Sequence, residues 1–260
     1  MCLVGIAWCS HPQHRLVIAA NRDEMHSRPT AAADWWPDAP NIYAGRDLEA
    51  QGTWLAVTAD GRFAAVTNVF GSALIEGSFE SRGHLITDYL NGDQPPGTFL
   101  NALAGKHEAY RPFRLAIGSP AELFIADSDG SNKFKHERVG PGFHALTNAP
   151  NGESWPKAGW ILRQLESVVA EQEVDHARLI NLLSTERMPK ATDPENYGDE
   201  AYRFAPFIRN DTYGTRASTI VSISEPGQLR FTEQRYDSDG CEAGASSTQV
   251  SMRPQQLYRS

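Results

Sequence analysis

The sequence predicts an α+β protein in which two antiparallel sheets are covered by two helical layers. Three observations lead there. Short apolar runs recur in pairs joined by turn residues, as antiparallel hairpins require. Two stretches with helical spacing interrupt them, each long enough for two short helices. No repeat, low-complexity segment or linker divides the 260 residues, so residues 1–260 read as a single domain with a substantial core.

The elements follow in order. Residues 3–8 (LVGIAW) and 16–20 (LVIAA) flank Ser10-His11-Pro12-Gln13-His14, a hairpin with its turn there. The second strand ends in Asn21-Arg22-Asp23-Glu24. In an antiparallel pair that end lies beside the start of strand one, which puts the tetrad next to Cys2. Residues 30–41 (TAAADWWPDAPN) read as a loop whose Trp35 and Trp36 are packing anchors or a ligand lid. Residues 54–58 and 63–68 form a hairpin across Asp60-Gly61. Residues 81–90 place Leu85, Ile86, Tyr89 and Leu90 on one helical face, and residues 98–104 add a second helix. Two more hairpins follow, at 113–118 with 122–126 and at 134–139 with 143–147. The clearest helix spans 154–170, with Ser154 as cap and Trp160, Ile161, Leu165, Val168 and Val169 as its buried stripe. Residues 176–183 form another helix, and 186–210 are irregular. Residues 218–223 and 228–236 make the last hairpin. Residues 241–260, rich in Ser and Gln, read as a loosely held tail.

Composition excludes several classes. The net charge of −8 and the lack of a basic run speak against nucleic acid. The three cysteines, Cys2, Cys9 and Cys241, suggest neither a disulfide framework nor a metal site. Phosphate-binding glycine motifs are missing. No apolar stretch is long enough to span a membrane, and the N-terminus lacks a secretory pattern, so a soluble cytoplasmic protein is expected.

Cys2 carries the chemistry. Removal of Met1 would leave a thiol nucleophile and a free α-amine on one residue. An α-amine has a pKa of roughly 7.7–8.0, suited to accepting the thiol proton. The plainer alternative is a structural thiol at the start of a strand. An adjacent guanidinium favours a thiolate, and a carboxylate can anchor the ammonium or the arginine. A solvated charged cluster is the plainer reading of the tetrad. Asn68 and Asn148 each close a strand, where a side-chain amide can face a developing oxyanion or simply serve turn chemistry. Arg216 opens a strand, where it can bind a carboxylate or remain a surface charge. Pro150 restricts Ala149 and fixes the exit of the strand that ends at Asn148.

Together these residues resemble a known family. Its carriers are Cys2, NRDE at 21–24, SRPT at 27–30, GRD at 45–47, GTWLAV at 52–57, TNV at 67–69, SRG at 81–83, LTN at 146–148, WPK at 155–157 and YGTRAST at 213–219. This is similar to the NRDE family, whose animal members are the transport and Golgi organisation protein two homologues. The family resembles N-terminal-nucleophile hydrolases, which implies a four-layer αββα sandwich. Within that group the chain is most similar to the cysteine amidases of penicillin V and bile salts. The resemblance assigns catalysis to Cys2, Arg22, Asp23, Asn68, Asn148 and Arg216. In those amidases the first Arg and Asp are spaced apart, whereas Arg22 and Asp23 are adjacent. Strand neighbours point to opposite faces, so either a bulge re-aims one of them or only one faces Cys2.

Two functions follow from the resemblance. One is hydrolysis of an acyl amide or acyl thioester, which needs no cofactor. The other is non-catalytic carriage of an amphiphile, haem first, because family members are implicated in haem trafficking and acyl-lipid metabolism. Trp35, Trp36 and Trp54 are the expected cleft lining in both. The eight histidines are scattered, His26 and His144 lying nearest the expected cleft.

Overall fold

The first strand has no solvent-facing residue, and this constrains everything around it. Strand β1 (Leu3–Trp8) is buried at all six positions, so it must lie inside a sheet covered on both faces. The computed structural model describes residues 2–72, 75–129, 133–150, 153–171, 173–187, 203–225 and 227–252. In it β1 lies between β2 (His14–Met25) and β10 (Gly142–Thr147). Beyond β2 the sheet continues through β11 (Tyr213–Ser224), β12 (Gln228–Tyr236) and β13 (Glu242–Ser251), all antiparallel.

The second sheet is a sequential meander of seven strands. They are β3 (Thr30–Trp36), β4 (Ala39–Asp47), β5 (Leu55–Thr58), β6 (Phe63–Asn68), β7 (Phe113–Ser119), β8 (Glu122–Ser128) and β9 (Phe134–Val139). Its outer face carries helices α1 (Arg82–Asn91) and α2 (Pro96–Ala104). The outer face of the first sheet carries α3 (Pro156–Val169) and α4 (His176–Leu183). The result is the expected four-layer αββα sandwich.

Alternation along the strands distributes side chains between the layers. Val4, Ile6 and Trp8 of β1 meet Ile18, Ala20, Leu55 and Phe63 between the sheets. Leu3 and Ala7 point the other way, against Ile161 and Leu165 of α3. Each fully buried Leu or Ile stabilises by about 1.5–3 kcal/mol before ordering entropy is subtracted. Gly5 is required for this packing. A Cβ there would lie 2.5 Å from Ile161 Cγ1, so α3 could not settle onto β1.

The structure differs from the sequence reading in three places. Residues 30–41 are not a loop but the strands β3 and β4 and their turn. Ala33 is buried in the inter-sheet core and its N–H donates to Glu233 Oε1 at 2.9 Å, so burial overrides a weak local signal. Residues 242–251 are not loose either: they pair along β12 as an exposed, polar edge strand, a composition that discourages further pairing. The N-cap of α3 is Trp155 rather than Ser154, with Pro156 opening the first turn. Of the segment 186–210, residues 188–202 lie outside the described residues.

Candidate functional site

The register of the first hairpin pairs Leu3 with Asn21, and one further step sets Cys2 opposite Arg22. Cys2 is a half-buried free thiol on the wall of a cavity of about 540 Å³. Arg22, Asp23, Glu24, Asn68, Trp54 and Arg82 line the same cavity. Thus the residue just before β1 supplies the thiol, β2 three charged side chains of the tetrad, β6 an amide and α1 a second cationic wall.

Arg22 and Asp23 point to opposite faces. A bulge is present, but on the partner strand: Thr215 pairs with Asp23 and Ala217 with Arg22, leaving Arg216 as the extra residue. Arg22 faces the space between the sheets. Its Nη1 donates to Thr30 Oγ1 at 2.9 Å, and its Nη2 lies 3.5 Å from Asp47 and 3.8 Å from Glu24. Its Cζ sits 4.3 Å from the centre of the Trp54 ring. Burial pulls this guanidinium below its usual pKa, while Glu24, Cys2 and Asp47 hold it up. Arg28 joins the same cluster, with Nε 2.6 Å from Asp47 Oδ2. Burial alone would raise the Asp47 carboxyl, but the Arg28 hydrogen bond, the Ala50 N–H and the nearby charges hold it below the usual range.

Asp23 faces the helical layer. Thr215 Oγ1 donates to its Oδ1 at 2.6 Å, and Lys157 Nζ of α3 lies 3.9 Å from its Oδ2. Both side chains are completely buried. Burial raises the Asp23 carboxyl and lowers the Lys157 ammonium, each against the attraction of the other. Cys2 also acts electrostatically on Lys157. Lys157 is the functional candidate that the sequence reading missed; it appeared there only within the WPK motif. A lysine in the first turn of an amphipathic helix ordinarily reaches solvent. Here Trp155 caps it, with Nζ 5.5 Å from the indole centre.

The remaining tetrad member is structural. Asn21 is buried, and its Nδ2 donates to the carbonyls of Leu183 and Pro206 while Ser218 Oγ donates to its Oδ1. It ties β2 to α4 and to the segment before β11.

The two asparagines form a relay rather than a pair. Asn148 is fully buried and does not line the cavity. Its Nδ2 donates to Asn68 O at 2.6 Å and to Asn68 Oδ1. Asn68, half-buried and on the cavity wall, therefore presents its own amide with its orientation set from behind. Arg216 also lies off this cavity. Its Nη1 donates to the carbonyls of Met25 and His26 at 3.1 and 2.9 Å, bracing the β2–β3 turn, and it lines a smaller cavity with Glu233 and Arg235. Of the three tryptophans, Trp54 alone lines the main cavity. Trp36 is buried, donates to Ala44 O and lies under Arg46. Trp35 packs edge-on against Tyr43.

Comparison with known proteins decides the family. The Transport and Golgi organisation 2 family model matches residues 1–238. The chain belongs to that family. Relatives include the Transport and Golgi organization protein 2 homologs of Bos taurus and Homo sapiens. Each is 30% identical, the match covering 90% of this chain and 92% of the relative. The Drosophila melanogaster member is 25% identical over the same shares. Among solved structures, the Caenorhabditis elegans N-acylethanolamine-hydrolyzing acid amidase ortholog superposes with a TM-score of 0.53. That match covers 84% of this chain and 92% of the amidase at 11% identity. The sandwich of this family member thus shares the fold of that amidase and is like that of N-terminal-nucleophile hydrolases.

Neither His26 nor His144 lines the main cavity, nor does any other described histidine. His26 Nε2 is bonded to Asn210 O, and His144 Nε2 to Gly140 O. Among the described residues that line the cavity, Cys2 and Tyr213 are the side chains of the kinds that can ligate haem iron, and no histidine is there. No described helix is long and apolar enough to cross a membrane.

Proposed function

We propose that the chain is an N-terminal-cysteine hydrolase that cleaves a carboxamide or thioester bond in a small amphiphile. One observation carries this reading: the Cys2 thiol sits on a cavity wall, beside Arg22 and with the buried Asp23–Lys157 pair close by. After removal of Met1, the α-amine of Cys2 takes the thiol proton as sulfur bonds to the acyl carbon. The carbonyl electrons move to oxygen, and the Asn68 amide donates to that oxyanion. Collapse breaks the bond to the leaving amine or thiol, which takes the proton from the ammonium. Water then attacks the acyl-thioester and restores the thiol, releasing a carboxylic acid. Asp23 and Lys157 hold the charge balance around the terminal amine, and Asn148 holds Asn68.

The amphiphilic class is supported by the cavity lining. Most of it is charged or polar, but Trp54, Val66 and Phe79 also line the cavity. A polar cavity with some apolar wall suits a molecule with a polar reacting group and an apolar body.

The test joins intact-mass spectrometry to an assay panel of acyl amides and acyl thioesters. The expected result is a mass lacking Met1, turnover of at least one substrate, and a covalent acyl adduct that Cys2→Ala abolishes. Retention of Met1 in fully active protein would refute the terminal-amine mechanism.

A further inference from the structure

The two walls of the cavity treat charge differently. On the tetrad side, Arg22 and Arg28 share Glu24 and Asp47, and Arg28 also pairs with Glu49. On the α1 side stand Arg82 and Arg111, and neither is ion-paired with a carboxylate among the described residues. They are brought together by a short parallel bridge between Glu80 and Tyr110, with Glu80 N–H donating to Ala109 O at 2.8 Å. Arg82 Nη1 donates to Pro112 O at 3.1 Å and Ser72 Oγ at 3.3 Å. Its Nε and Nη2 donate to no described acceptor, so one edge of the fork remains available. Arg111 rests over the Phe79 ring, its Cζ 5.1 Å from the ring centre, and its buried Nε has no described hydrogen-bond partner. The backbone geometry commits Arg82 to this place. Gly52 and Gly83 pack backbone to backbone, since a Cβ on Gly52 would lie 2.8 Å from Gly83 C, and that contact docks the start of α1 against the cavity.

Two neighbouring guanidinium groups with no carboxylate in ion-pair contact among the described residues repel one another, and Glu24 and Glu80 stand elsewhere on the cavity wall. Burial lowers the Arg82 pKa, Arg111 and Arg28 lower it further, and Cys2 and Glu24 pull the other way. Such an arrangement persists at a cost unless an anion binds between the two forks. We propose that Arg82 and Arg111 form a subsite for an oxyanion, a phosphate or carboxylate group carried by the substrate. This rests on the hydrolase reading only for the word substrate; the subsite itself needs no turnover. The molecule cleaved is then an acyl compound that carries negative charge beside the scissile bond as well as an apolar body. The planar guanidinium fork matches the bidentate pair of oxygens that both oxyanions offer.

The experiment is isothermal titration calorimetry on Cys2→Ala protein at low ionic strength. The probes are inorganic phosphate, pyrophosphate and succinate. Saturable one-to-one binding of at least one probe is expected, weakening as salt is raised. Phosphate or pyrophosphate as the tighter ligand assigns a phosphorylated substrate, and succinate assigns a carboxylate. Arg82→Gln and Arg111→Gln should each weaken binding by about 10–150-fold, the loss of a hydrogen bond to a charged group. Arg111 is half-buried and accounts for no described hydrogen bond, so its variant keeps the test valid if Arg82→Gln folds poorly. Lack of saturable binding by any probe, or affinity unchanged in both variants, overturns the proposal. Because the protein tested lacks the thiol, a failure here leaves the hydrolase reading standing. Failure to hydrolyse any substrate, conversely, leaves the subsite standing.

Discussion

Replacing Lys157 with Met isolates the buried pair at the centre of the site. The substitution keeps an unbranched side chain of similar length beside Trp155 but removes the ammonium 3.9 Å from Asp23. Asp23 is then fully buried without that cation. Removing one partner of a buried ion pair costs about 3–5 kcal/mol, because the other charge stays desolvated. For a domain of this size each kcal/mol moves Tm by about 2–4 °C, so a fall of roughly 6–20 °C is expected. The pH dependence carries its own sign. Burial raises the Asp23 carboxyl above its unfolded value, so the folded state binds a proton more tightly than the unfolded chain. Stability from that group is present at low pH and lost as pH rises through the folded pKa. Without Lys157 the carboxyl rises further, so the deficit of Lys157→Met relative to the parent narrows on acidification. Urea unfolding and thermal melts at several pH values between about 5 and 8 measure it. The double variant Asp23→Asn, Lys157→Met should recover most of the loss, since no buried charge is then left unpaired. A single variant as stable as the parent, or a deficit that grows in acid, would refute the reasoning.

Two further outcomes are expected. Asn68→Ala should leave Tm nearly unchanged and lower kcat by roughly a hundredfold or more, with a smaller effect on KM. Asn148→Ala should cost about 1–3 kcal/mol of stability as well, because it strips the backbone and side-chain oxygens of Asn68 of their donor; equal Tm values for the two variants would remove the relay. His176 is buried between Thr232 and Ser222, and burial first, then Arg230, holds its pKa down to about 3. A depressed histidine contributes stability above its unfolded pKa near 6.5 that is lost as pH falls toward 3. Acid melts of His176→Gln should therefore lose less stability over that window than the parent, and parallel curves would exclude His176 as an acid-labile point.

Local patterning made much of this protein legible. Strand alternation and short turns are interactions between near neighbours, so the opening hairpin, the helices at 176–183 and 81–90 and the placement of Cys2 beside Arg22 could all be read before any packing was known. Where burial alone makes the element, reading failed. The Ala-rich run of β3 and the polar run of β13 carry weak β signals and are strands because neighbouring strands satisfy their backbones. The chemistry divides in the same way. Neighbouring residues on a strand diverge unless a bulge re-aims one of them, and sequence alone left both possibilities open for Arg22 and Asp23. That the bulge would fall on β11 at Arg216, turning that arginine away from the main cavity, depended on pairing across some 190 residues. Lys157 and Arg82 look like ordinary helix-start cations in sequence. Only the docking of α3 over β1, and of α1 against Gly52, sealed one beside Asp23 and set the other near Cys2. A charge acquires an unusual role from the water removed around it, and that removal belongs to the tertiary fold.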